Sequence, residues 1–384
     1  MARGSITKRG DSWRIAVELP ADETGKRRQR FETFTGSKKD ADKRLTELLS
    51  LVDQQRLGIS PKVTVGEYLE RWLSDYASTK SPSTLHYYTT MAHRYIAPRV
   101  GNVQLGKVTP AHIVRLLASL REAPRTDGKE GKLSPSTVAG AYRTLRAALN
   151  AAVRWQLITR NPCDGAQPPR VPRSEMKCFT VEEARRFLDA AEQEGPMWAA
   201  FFAVLLQTGC RPGELRALRW EDVSLDAGTL HIQRTAQRIP GQGIVVGTTK
   251  TGSSRRPVAL GTDVVALLRR QRAEQNAHRL TMGPLWANND LVFASEVGTY
   301  LDNKQMRVAF ERICERAGVP RIRLYDLRHT SASLLLAAGV HPKVVSERLG
   351  HSSVNLTLQT YSHVLPGLQR DASETLEGLL RRAT

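Results

Sequence analysis

Four short segments in the second half of the chain carry side chains suited to a phosphate group. In Thr208-Gly209-Cys210-Arg211-Pro212-Gly213-Glu214-Leu215, Arg211 stands between a glycine that ends one helix and a proline that opens the next. Lys250 begins a Gly/Ser turn running to Ser254. Leu324-Tyr325-Asp326-Leu327-Arg328-His329-Thr330 reads as a helix start after an extended stretch. Leu349-Gly350-His351-Ser352-Ser353 is followed by Tyr361, ten residues after its histidine, in Gln359-Thr360-Tyr361-Ser362-His363. Guanidinium forks bind phosphate oxygens bidentately and stay charged at any working pH. A tyrosine hydroxyl, with an ordinary pKa of about 10, attacks only where a site helps to ionise it or stabilises the transition state.

Each residue also has an ordinary reading. Arg211 can cap a helix or pair with Glu214 three residues on. Arg328 can pair with Asp326. Lys250 can be one more exposed turn lysine, and Arg255 and Arg256 lie close enough to be mistaken for it. His351 can be a polar residue beyond a helix end, and Tyr361 and Tyr325 half-buried tyrosines with wet hydroxyls. The conjunction of two arginines, a lysine, a histidine and a tyrosine outweighs five separate accidents. His329, His351 and His363 match no zinc-finger or HExxH spacing, so neither a metal nor a cofactor is expected.

The blocks TGCRPGEL, TTKTGSSRRP, YDLRHT and LGHSSVNLTLQTYSH resemble, in order and spacing, the signature blocks of the tyrosine recombinase (phage integrase) family. The likeness covers about residues 175–365. It implies a site-specific DNA recombinase that breaks one strand at a time. Tyr361 attacks a phosphodiester to give a 3′-phosphotyrosyl bond and a free 5′-hydroxyl, and the covalent bond stores the energy for rejoining. On the same resemblance Arg211 and Arg328 clamp the scissile phosphate, His351 donates a hydrogen bond to it, and Lys250 protonates the leaving 5′-oxygen. Glu214 takes a supporting role. The family usually has His where this chain has Tyr325. A phenol still donates to phosphate, but it is a poor general base near neutral pH, and Tyr325 becomes a rival nucleophile. His329 directly follows Arg328 and is not assumed to replace the missing imidazole.

These residues need a scaffold, and the pattern supplies three parts. Residues 1–60 read as a small α+β module, with strands at Ser12–Leu19 and Arg28–Thr35, a turn at Asp22–Gly25 and a helix over about 38–56. It loosely resembles the family's three-stranded arm-site module. Residues 62–165 read as all-helical, with helix starts at Thr64, Ser81-Pro82, Thr109-Pro110 and Ser134-Pro135, and resemble the core-site DNA-binding domain. A Pro-rich linker spans 166–174. Residues 175–384 read as a mixed α/β, mainly α, catalytic domain. There, strands are expected at Thr229–Arg234, Ile244–Thr249 and Arg255–Leu260, the last two as a hairpin with Lys250 at its tip. An amphipathic helix over Ala372–Ala383 is expected to dock on its own domain or on a neighbouring protomer.

The chain has 384 residues and a net charge of +19. The surplus is spread along it and densest in the helical middle, where Arg115, Arg143, Arg146 and Arg154, with Arg170 and Arg173 in the linker, are candidates for phosphate contact. That distribution favours nucleic acid over a compact membrane anchor. No apolar run is long enough to span a bilayer, no signal peptide opens the chain, and four scattered cysteines suit a reducing compartment, so the bacterial cytoplasm is expected.

The resemblance further implies double-stranded DNA with core and arm attachment sites, clamped between the two larger domains. It implies a homotetramer exchanging strands through a Holliday junction, an excisionase or other directionality factor, and a host DNA-bending protein, serving a phage or mobile element. The rival readings are a non-catalytic DNA-binding regulator on the same scaffold, topoisomerase IB-like relaxation, and a metal-dependent nuclease. They differ in whether Tyr361 matters, whether two DNAs are joined, and whether EDTA stops cutting.

Overall fold

The computed structural model describes residues 4–19, 28–53, 63–172, 176–248 and 255–361, and isolated positions 373, 376, 377 and 380. The chain separates into two compact units, Met1–Arg173 and Ser174–Thr384.

In the first unit, β1 (Gly4–Arg9), β2 (Ser12–Leu19) and β3 (Arg28–Thr35) form an antiparallel sheet with β2 in the centre. Alternation puts Ile15 and Val17 on one face, where they bury against Leu48 of α1 (Lys38–Asp53). The outer face carries Arg14 and Phe31, the guanidinium 4.0 Å from the ring centroid. β1 adds a strand to the two read from the residue pattern. The expected turn at Asp22–Gly25 lies outside the described residues.

The rest of the unit is helical: α2 (Val65–Asp75), α3 (Pro82–Met91), α4 (Ala97–Val100), α5 (Pro110–Glu122) and α6 (Pro135–Arg154). Thr64 and Glu67 close a reciprocal cap on α2, the Thr64 N–H donating to the Glu67 carboxylate at 2.8 Å. α2 then turns Tyr68, Leu69 and Trp72 inward, and the Tyr68 hydroxyl donates to the Ala148 carbonyl of α6 at 2.6 Å. Ile113, Leu116, Leu117 and Leu120 of α5 complete this core, separate from that beneath the sheet. A π-helical turn at Ala92–Ile96 joins α3 to α4.

The second unit opens with α7 (Val181–Glu192), α8 (Pro196–Thr208) and the single-turn α9 (Pro212–Arg216). Two small sheets follow, from β4 (Val223–Ser224), β5 (Thr229–Ile232), β6 (Arg234–Ile239), β7 (Gly243–Thr248) and β8 (Arg256–Ala259). Then come α10 (Thr262–Met282), α11 (Asn303–Ala317), α12 (Asp326–Ala337), α13 (Pro342–Leu349) and α14 (Val354–Tyr361). Phe187, Phe201, Phe202, Phe293 and Phe310 pack edge-to-face and tilted around α8, the most apolar helix, in the main core. Among the described residues no helix is long and apolar enough to cross a membrane.

The expected pairing of Ile244–Thr249 with Arg255–Leu260 is wrong. β7 pairs with β6, Arg234 opposite Thr248, through the tight Pro240–Gln242 turn, while β8 pairs with β5. The register explains the choice, because Val258 then stands opposite Leu230 and both enter the core. The expected strand at Thr229–Arg234 is accordingly two strands. Lys250, the rest of its turn to Ser254, and all but isolated positions of the helix expected over Ala372–Ala383 lie outside the described residues.

Candidate active site

The site forms where the ends of α8, α12, α13 and α14 meet. Gly209 ends α8 at φ 62°, in the left-handed region, and a Cβ there would lie 2.5 Å from Leu349 Cδ2. Only glycine lets α13 approach so closely. The extended backbone of Arg211 follows, with its N–H donating to Glu214 Oε2 at 2.9 Å and its Nη1 donating to Oε1 at 2.7 Å. The ordinary reading of Arg211 as a partner of Glu214 is therefore present, yet about a third of its side chain stays open to solvent.

Glu214 is only 2% exposed and accepts a second cation, Arg256 Nη2, at 3.2 Å. Burial opposes its charge, but Arg256, the Arg211 backbone N–H and the Arg211 guanidinium together hold the carboxyl below its ordinary range. Arg256 also donates from Nε to the Arg348 carbonyl at 2.6 Å, tying β8 to the end of α13. It is a site residue that sequence reasoning set aside as a decoy for Lys250. Its alternation with inward-facing Val258 was the available signal.

Arg328, in the first turn of α12, is 2% exposed. Its expected partner Asp326 is instead engaged by Arg323 at 2.7 Å. Arg328 Nη1 donates to the Gly209 carbonyl at 2.7 Å, and among the described residues no carboxylate lies within ion-pair distance of it. Burial and then the neighbouring Arg211 lower its pKa. A buried guanidinium without an ion-pair partner is costly, and an incoming anion relieves that cost.

Gly350, at φ 68°, turns the chain after α13, and a Cβ there would meet Arg256 Nη1 at 2.7 Å. His351 follows. Its Nδ1 lies 2.7 Å from Thr357 Oγ1, so with the hydroxyl donating, Nε2 carries the proton available to a ligand. Burial, then Arg328, Arg211, Arg256 and His329, push its pKa down to about 4.

Tyr361 ends α14 and is buried to 1% exposure beside Ala332, Leu336, Val345 and Leu349. Burial pushes its pKa well above the ordinary value although Arg328 opposes the shift. Its hydroxyl lies 2.7 Å from His329 Nδ1. Tyr325, 41% exposed, immediately precedes α12 and sets its ring 5.5 Å from that of His329. The structure thus brings Arg211, Glu214, Tyr325, Arg328, His351 and Tyr361 together and adds Arg256 and His329. Positions 325 and 329 share a helix face, which was the signal that could have included His329. Among the described residues no three of His, Cys, Asp and Glu gather as metal ligands would.

The basic candidates of the first unit differ among themselves. Arg115, Arg143 and Arg170 are exposed. Arg146, also exposed, is paired with Asp164 at 3.0 Å, and Arg154 lies 5.3 Å over the Tyr76 ring. Arg173 lies outside the described residues.

Residues 177–367 match the phage integrase family, and residues 64–121 match the phage integrase N-terminal SAM-like domain. A tyrosine recombinase XerC-like protein of Caldanaerobacter subterraneus subsp. tengcongensis is 28% identical over 389 residues, covering 96% of each chain. The ICEBs1 integrase of Bacillus subtilis is 25% identical, covering 96% of this chain and 97% of its own length. In fold, the Tn1549 transposon integrase, solved with a circular intermediate DNA, superposes with a TM-score of 0.67 at 19% identity, over 82% of this chain and 99% of its own. The chain belongs to the phage integrase family and is a site-specific DNA recombinase of the tyrosine type.

Proposed function

We propose that Tyr361 is the nucleophile and that Arg211, Arg328 and His351 bind the phosphate it attacks. The observation that carries this reading is Arg328, a buried guanidinium beside Arg211 and Arg256, with Glu214 the one carboxylate ion-paired to any of the three among the described residues. Such a pocket is preorganised for an anion whose charge grows in the transition state. Tyr361 Oη bonds to phosphorus as the bond from phosphorus to the 5′-oxygen breaks. The departing oxygen takes a proton from Lys250, and Tyr325 and His351 donate to the non-bridging oxygens. Glu214 fixes the spacing of Arg211 and Arg256. Rejoining runs the same steps backwards with a 5′-hydroxyl from the partner strand.

On this reading residues 62–165 hold the core site, with Arg115, Arg143, Arg146 and Arg154 on phosphates, aided by Arg170 and Arg173 in the 166–174 linker, and residues 175–384 do the chemistry. Residues 1–60 bind arm sites, a role suited to the Arg14–Phe31 face of the sheet. Four protomers join two duplexes to integrate or excise a phage or mobile element, with an excisionase and a host DNA-bending protein setting direction. The bacterial cytoplasm is the matching compartment.

The test is covalent trapping. The protein is incubated in EDTA with nicked duplexes from its source DNA, so that the short 5′-hydroxyl fragment diffuses away and the adduct accumulates. A phosphotyrosyl peptide mapping to Tyr361 is the expected result. Tight binding without an adduct would favour the regulator reading, which the deep burial of the Tyr361 hydroxyl otherwise supports.

A further inference from the structure

Replacement of the usual histidine by Tyr325 leaves the Tyr361 proton without an obvious acceptor. The geometry points to one from another position. We propose that His329 is the general base of strand cleavage, its Nδ1 taking the Tyr361 hydroxyl proton as Oη bonds to phosphorus. The proton returns from Nδ1 to Oη when a 5′-hydroxyl attacks the phosphotyrosyl bond, so His329 ends the cycle neutral. Meanwhile the 5′-oxygen is protonated at cleavage and deprotonated at rejoining by the acid on its own side. The inference rests on Tyr361 being the nucleophile.

Three observations carry it. The Tyr361 Oη to His329 Nδ1 distance of 2.7 Å is that of a formed hydrogen bond to the reacting atom. His329 stands on α12 next to Arg328, so the base and the phosphate-binding cation share one rigid element. Its ring is fixed from two sides, 5.5 Å from Tyr325 and 5.7 Å from Tyr361. The groups facing it are Asp326, Arg328 and Tyr325 from its own helix and cap, Arg323 from the preceding segment, His351 after α13, and Tyr361 on α14. Burial, with Arg328 and Arg323, outweighs the opposing Asp326 and lowers the histidine pKa, so the ring is neutral and able to accept near neutral pH. Tyr361, whose own ionisation burial opposes, is the group that needs such help.

The experiment uses the full chain and a nicked duplex carrying the site found by trapping, with single-turnover adduct formation followed from pH 4.5 to 8.5. His329→Asn keeps an acceptor oxygen near the place of Nδ1 but cannot take the proton. We expect unchanged DNA affinity, a cleavage rate about 10²- to 10⁴-fold lower, and loss of the low-pH limb, which in wild type falls below the ordinary histidine range. His329→Ala should be partly rescued by added imidazole, and Tyr325→His in the Asn background should restore rate from the other position. A rate within threefold of wild type, or a slower rate with the limb intact and no imidazole rescue, overturns the proposal; the second result leaves His329 merely holding Tyr361 in place. Failure of wild type to form an adduct at Tyr361 strikes the nucleophile assignment instead, and peptide mapping separates the two failures.

Discussion

Arg256 Nη2 lies 3.2 Å from the Glu214 carboxylate, with both side chains almost wholly removed from water. Because Glu214 also accepts from Arg211, one carboxylate sets the spacing of two cations around the proposed phosphate pocket. It lowers their mutual repulsion without cancelling the pocket's positive charge. Breaking a buried pair from one side leaves an uncompensated charge, so Glu214→Ala should cost about 3–5 kcal/mol in urea unfolding. The double variant Glu214→Ala/Arg256→Ala should be more stable than the sum of the single losses predicts, by about 0.5–3 kcal/mol of coupling. Strict additivity would mean that the ion pair does not hold the two elements together.

His351 makes stability depend on pH. Its folded pKa is depressed to about 4 by burial and by Arg328, Arg211, Arg256 and His329, against about 6.5 in the unfolded chain. Between those values the unfolded state binds a proton that the folded state refuses. The His351 contribution is therefore fully present above pH 6.5 and lost as pH falls towards 4. Solvent screening of this partly exposed ring limits the effect to about 1–2 kcal/mol. His351→Gln should flatten the stability profile in that window, leaving the smaller slope due to His329. A phosphate in the pocket opposes the arginines and raises the His351 pKa, so core-site DNA binding at pH 5.5 should take up protons. Calorimetry in buffers of different ionisation enthalpy measures that uptake, and its absence would place the phosphate away from His351.

Local signals in the sequence were strong where chemistry at one end of an element decides its fate. The capping boxes at Thr64 and Thr180 and the prolines at 82, 110, 135 and 212 all start helices in the structure. Arg211, Arg328, His351 and Tyr361 were legible because each stands beside such a punctuation point in a family block. Strand pairing was not, because β5, β6, β7 and β8 are short, and the partner of each depends on which register brings Leu230 and Val258 into one core. The π-turn at Ala92–Ile96 carries no residue signature. Arg256 and His329 escaped for a related reason. Their roles come from partners 42 and 32 residues away along the chain, and only the fold brings those partners together.

The exposed arginines of the helical domain should separate by their present partners. Removing one phosphate-binding cation should lower the slope of log K against log salt by about 0.9. Arg143→Ala and Arg115→Ala should weaken binding to all sequences alike and show that decrement. Arg146→Ala should show less, because Asp164 already neutralises that guanidinium at 3.0 Å and must be given up on binding. Filter binding at several salt concentrations reads the slopes. Equal decrements at all three positions would mean that the Asp164 pair breaks at no cost in the complex.

Lys250 offers the sharpest test of the leaving-group side. Proton transfer to the 5′-oxygen is needed only because an alkoxide leaves poorly; a 5′-bridging sulfur leaves as a stable thiolate and needs no proton. Lys250→Ala should therefore slow cleavage of an ordinary nicked duplex by about 10²-fold or more, yet cut the 5′-phosphorothiolate duplex at close to the wild-type rate. His329→Asn should behave in the opposite way, slow on both substrates, because its defect lies in the attacking tyrosine. The contrast places one proton on each side of the phosphorus. If the sulfur substrate does not rescue Lys250→Ala, the acid is another residue.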